Sequence, residues 1–206
     1  MRCCRPYWTR PFNSGRNPYI LHKEWSVTNY IEQLTEAANR LGAYKCGAVA
    51  VDQIPFDRGL RKNCEMNYCG AFGKNWMCPP SCGDIDALIA RAKTFGTLFL
   101  FQTVYPLEDS YDIEGMNEAG KRHNALVETL SETARALLPA CQMLGAGGCR
   151  LCERCAKATE EPCRFPERAH PSLEAYGIYV AGLASKCGMQ YINGQNTVTY
   201  FGAVLF

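Results

Sequence analysis

The chain has 206 residues, of which 47% are hydrophobic, and a formal charge of only +2, so it can bury a real core in one compact domain or two very small ones. No apolar run approaches the roughly 20 residues needed to span a bilayer. The first 23 residues carry Arg2, Arg5, Arg10, Arg16 and Lys23 with no acid, and they lack the apolar centre of a secretory signal. The expectation is a soluble, cytoplasmic protein without membrane contact.

Ile31, Leu34, Ala38 and Leu41 recur at helical spacing before Gly42, predicting a helix over about 28–41. A short apolar strand over 43–51 and a loop with four cysteines follow. Asp84 can cap a helix whose stripe is Ile85, Leu88, Ile89, Ala92 and Phe95, ending at Gly96. TLFLFQTV, residues 97–104, reads as a buried strand. An acidic loop over 106–115 leads to the longest helix, about 116–138, striped with Met116, Ala119, His123, Leu126, Leu130, Ala134 and Leu137 and closed by Pro139. A weaker strand over 141–147, a second cysteine loop, a helix over about 172–186 and a hairpin turning at Asn193-Gly194 complete the order αβαβαβαββ. That order predicts an α/β or α+β fold with a single central sheet and flanking helices. Residues 1–25 read as a basic, flexible extension and 26–206 as one domain. If the strands before the two cysteine loops run parallel, both loops leave the same edge of the sheet, where ligand sites gather.

Thirteen cysteines dominate the composition. An odd number in a chain without an export signal points to reduced thiols and metal ligands rather than disulfides. The second loop holds Cys149, Cys152 and Cys155, each two residues apart, then Cys163. Such a triple with a distant fourth thiol is the bacterial ferredoxin pattern of a 4Fe–4S cluster, whereas tetrahedral zinc usually takes two separated pairs. The first loop holds Cys64, Cys69, Cys78 and Cys82. Its spacing matches no common zinc finger, and iron–sulfur, zinc and thiol redox readings all stay open there. Gly70, Gly73 and Gly83 allow close backbone approach to sulfur, and Tyr68, Phe72 and Trp76 could exclude water. His22, His123 and His170 fall between no ligand cysteines, so the coordination is read as all-thiolate.

Cys46, Cys141 and Cys187 read as small apolar residues, and Cys3 and Cys4 as exposed thiols of the basic tail. His123 is either a satisfied core histidine or a proton donor. Asp109, Asp112 and Glu114 read as a solvated loop, and Lys74 and Arg164 as candidates to offset cluster charge. No dinucleotide, P-loop, zinc-protease or nucleophile-elbow motif occurs, nor the C-x3-C-x2-C triple of radical adenosylmethionine enzymes.

The stretches CEMNYCGAFGKNWMCPPSCG, GGCRLCERCAKATEEPCRFPERAHPSLEAYGI and VTYFGAVLF resemble the cysteine-rich "predicted metal-binding protein" family, a domain of unknown function in anaerobic bacteria and archaea. The resemblance runs from about Glu36 to the C-terminus and implies metal binding through these eight cysteines. Tyr179 stands where family members commonly carry a charged residue. The layout is also similar, at fold level only, to corrinoid-handling reductases. The leading expectation is a protein with two 4Fe–4S clusters acting in electron transfer, or as the electron-delivering part of a reductase, with a redox partner protein and no nucleic acid. A zinc- or cluster-stabilised binding module, and a corrinoid or small-molecule reductase, are the alternatives.

Overall fold

The computed structural model describes residues 26–206; the basic extension, with Cys3 and Cys4, lies outside them. Five α-helices and four strands are described: α1 (Val27–Arg40), β1 (Lys45–Ala50), α2 (Leu60–Glu65), α3 (Ile85–Ala92), β2 (Thr97–Pro106), α4 (Ile113–Leu137), β3 (Gln142–Leu144), α5 (Val180–Lys186) and β4 (Thr197–Leu205). The helix starts follow local chemistry. Ser26 accepts from the Asn29 N–H, Asp84 from those of Asp86 and Ala87, and Asp112 from that of Gly115, each pairing an amide the first turn leaves open. Asp109 likewise accepts from the Tyr111 N–H, so the acidic loop closes turns and caps α4.

The strands form one antiparallel sheet in the order β1-β2-β4-β3. Three antiparallel pairings make β1 and β3 run in opposite senses, so the expected parallel exit of the two cysteine loops is corrected. The crossover rule constrains strands of the same sense, and here it applies to β2, α4 and β3, between which β4 is inserted as in a split βαβ unit. The cysteine segments meet by another route: residues 51–84 run across one face of the sheet, where Val51, Ile54 and Cys82 join the core.

Both faces are covered, which explains the unbroken apolar run of an antiparallel strand. Phe99 and Phe101 face α1 and α4 with Leu34, Leu126 and Leu130, while Leu98 and Leu100 face the side of α3 and α5 with Leu88, Leu183 and Ile178. The expected helix over 172–186 is broken at Gly177, whose φ of 69° is left-handed. The break lets residues 55–57 dock there. The Asp57 N–H donates to the Gly177 carbonyl at 2.7 Å, and the Tyr179 N–H to that of Pro55 at 2.9 Å. The expected terminal hairpin is also corrected. β4 pairs with β2 along its whole length, and the would-be first arm pairs with no strand among the described residues, with Tyr191 stacked on Phe201 and Ile192 75% exposed.

His123 is fully buried in this framework and His170 half-buried. Burial pushes the His123 ring down to about 4, and burial with the nearby Arg135 does the same for His170. Their native pKa values thus lie below the unfolded value of about 6.5. The stability that neutral burial supports is complete above that value and is lost as pH falls towards 4. Each histidine should cost roughly 2 kcal/mol between pH 7 and pH 5. Denaturation midpoints over that range should fall less steeply for His123→Gln than for the wild type, and equal slopes would remove His123 from the account.

Candidate metal centre

Cys64 sits at the end of α2 and Cys69, Cys78 and Cys82 follow in irregular chain, with Gly70 and Gly73 in left-handed turns. The Gly73 N–H donates to the Pro79 carbonyl at 2.9 Å and the Cys82 N–H to that of Cys78 at 3.0 Å. These bonds fold the segment back on itself and bring its thiols into mutual electrostatic range. Burial pushes Cys78 up to about 12, reinforced by Cys82, Cys69, Cys64 and, from the other segment, Cys149. Burial raises Cys82 to about 11, with Cys64 adding to the rise, while the Arg61 guanidinium opposes it. Cys64 is raised by burial and by Cys69 and Glu174, against Arg61.

The second segment behaves as a separate group. Burial raises Cys149, with Cys163, Cys155 and Cys152 adding to the rise and the nearby Leu151 N–H opposing it. Burial also raises Cys163, followed by Cys155 and Cys152, while the Phe165 N–H and Arg164 pull the other way. All four thiols line one small pocket walled by Asn75, Trp76, Met77, Leu151, Arg164 and Phe165. Only about 10 Å³ of that pocket admits the centre of a water-sized sphere, about one water molecule.

The two segments interlock. The Asn75 side chain, 8% exposed, donates to the Cys149 carbonyl at 2.8 Å and accepts from the Met77 N–H at 2.9 Å. The Trp76 indole donates to the Glu161 carbonyl at 2.9 Å. Gly148 approaches so closely that a Cβ there would lie 3.2 Å from the Cys78 sulfur. Trp76 therefore walls the second group rather than the first, and Tyr68, 88% exposed, shields nothing. The cation beside the first group is Arg61 rather than Lys74, which is exposed; Arg164 does lie beside the second. Neither Arg61 nor Asn75 stands out in the sequence, because their contacts span 114 and 74 residues.

A family whose model is described as "Predicted metal-binding protein (DUF2284)" matches residues 47–206. The chain belongs to this family. No curated protein matches the chain, and no solved structure does.

Family membership makes metal binding the general property, and the donors can be weighed against it. Among the described residues no three His, Cys, Asp or Glu side chains converge as they would around one metal ion. The sulfurs lie in mutual electrostatic range without meeting at a point. All eleven described cysteines are free. Cys46 and Cys141 pack against the core beside α1 and α4, and Cys187 against the opposite core, so these three serve as apolar residues away from both groups.

Proposed function

We propose that the family's metal is iron, held as two 4Fe–4S clusters by Cys64, Cys69, Cys78 and Cys82 and by Cys149, Cys152, Cys155 and Cys163, and that the chain acts in electron transfer with a redox partner protein in the cytoplasm. The observation that carries the reading is the single pocket lined by the four thiols of the C-x2-C-x2-C segment. Such a cluster, when bound, supplies one-electron transfer.

The donor set suits that group better than zinc. A zinc ion draws four donors to about 2.0–2.3 Å of one centre, whereas a cubane takes each thiolate at a separate corner. The C-x2-C-x2-C spacing with a distant fourth cysteine is the sequence pattern of the second. The chain's own residues do the remaining work. The Leu151 and Phe165 amides favour the thiolate forms of Cys149 and Cys163, Arg61 does the same for Cys82, and the Trp76 and Met77 side chains limit water at the second group. Hydrogen bonds to sulfur and solvent exclusion are the levers that set a cluster's potential. Residues 26–206 act on this reading as one metal-binding domain.

Purified without oxygen, the protein should be brown, contain about eight irons and as many acid-labile sulfides per chain, and give paramagnetic signals on reduction. A colourless protein with stoichiometric zinc overturns the proposal.

A further inference from the structure

β3 covers only Ala203, Val204 and Leu205 of its neighbour β4. Beyond that point the chain leaves β3 and Gly145 pairs instead with Ser172, so among the described residues the β3-facing edge of β4 around Thr199, Tyr200 and Phe201 has no strand beside it. A second cavity occupies this gap, of about 290 Å³, at the lower end of the roughly 300–1,000 Å³ range of small-molecule sites. Its walls join α4, β4 and the turn after β3, and it is distinct from the thiol-lined pocket.

Its chemistry is specific. Arg150 and Glu174 both line it, and among the described residues neither takes part in an ion pair. Opposite charges that share a cavity without meeting can be bridged by a ligand carrying both complementary charges. The rings of Tyr191, Tyr200 and Phe201 supply aromatic wall. His123 also lines the cavity and is fully buried. Its Nδ1 lies 2.9 Å from Thr103 Oγ1. The Phe201 carbonyl is close enough to favour a protonated ring but completes no bond to Nε2, which has no partner. An unpaired buried nitrogen is costly unless something meets it.

We propose that this cavity binds a small zwitterion with an unsaturated or aromatic body, of the amino-acid type, its carboxylate on Arg150 and its ammonium on Glu174. The site stands on the cavity rather than on the identity of the metal, and Glu174 lies within electrostatic range of Cys64 as well.

L-phenylalanine serves as the probe, with phenethylamine and 3-phenylpropionate as analogues that each lack one charge, in calorimetric titrations of the metal-loaded full chain. L-phenylalanine should bind at least about 10-fold more tightly than either analogue. Arg150→Ala should reduce its affinity to that of phenethylamine, leaving phenethylamine unchanged, and Glu174→Gln should reduce it to that of 3-phenylpropionate. Metal content measured on both variants ensures that a loss of binding is not a loss of fold. No saturable binding of L-phenylalanine at millimolar concentration overturns the proposal. So does equal binding of all three compounds, or an Arg150→Ala variant with unaltered affinity.

Discussion

Cys152→Ser should leave the oxygen-free protein with about half its metal, near four of about eight irons, and the retained half should disappear when Cys64→Ser is added. The effects should be separable because Cys163, Cys155 and Cys152 act on Cys149, and Cys82, Cys69 and Cys64 on Cys78, where Cys149 is the one thiol of the other segment that also contributes. On the proposed assignment, each variant would remove one corner thiolate and, with it, a cluster that needs four. Cys46→Ser, in the core and away from both groups, is the control and should keep the full complement. Iron and sulfide determinations on the four proteins decide the matter, and a Cys152→Ser protein with undiminished iron would sink the assignment of the second group. Metal loss should also lower the denaturation midpoint, since metal held only by the folded chain stabilises it.

The second large effect lies in the core. Gly202 of β4 stands directly opposite Phe101 of β2, and a Cβ at that position would fall 2.3 Å from the Phe101 ring. Phe101 is fully buried, with Phe99 and His123 on either side at ring separations of 6.3 and 6.0 Å. The ring has nowhere to retreat. Gly202→Ala should therefore cost about 3 kcal/mol, at the upper end of overpacking effects, or roughly 10 °C in thermal midpoint for a chain of this size. Phe101→Leu combined with Gly202→Ala should recover part of the loss, because the two residues occupy the same space and their effects cannot add. A Gly202→Ala protein as stable as the wild type would show that the ring does not lie over this glycine.

Much of this architecture is legible in the residues themselves. The α4 stripe, the Asp84 cap and the apolar run of β2 follow from local periodicity and capping. The spacing of Cys149, Cys152 and Cys155 marks those thiols as a group, and the family match supports metal binding in general. What escapes the sequence is tertiary. The strand senses depend on β4 entering between β2 and β3, an event set by the far end of the chain. Residues 189–192 look like a strand, but among the described residues they meet no partner edge. The break at Gly177 is fixed by its pairing with residues 55–57, and α2 is too short and polar to announce itself. Arg61 and Asn75 matter through contacts that no spacing rule anticipates.

The Asn75 clasp and the close approach of Gly148 to Cys78 bear on how the chain can be dissected. Any cut between Cys82 and Cys149 leaves one fragment with four thiols and no Asn75 or Trp76 beside them, and another whose Asn75 has lost the Cys149 carbonyl and keeps only the Met77 N–H. Minimal peptides carrying a single cysteine segment are thus poor stand-ins for this protein. The two halves are better understood as a lock and its bolt than as beads that happen to share a string.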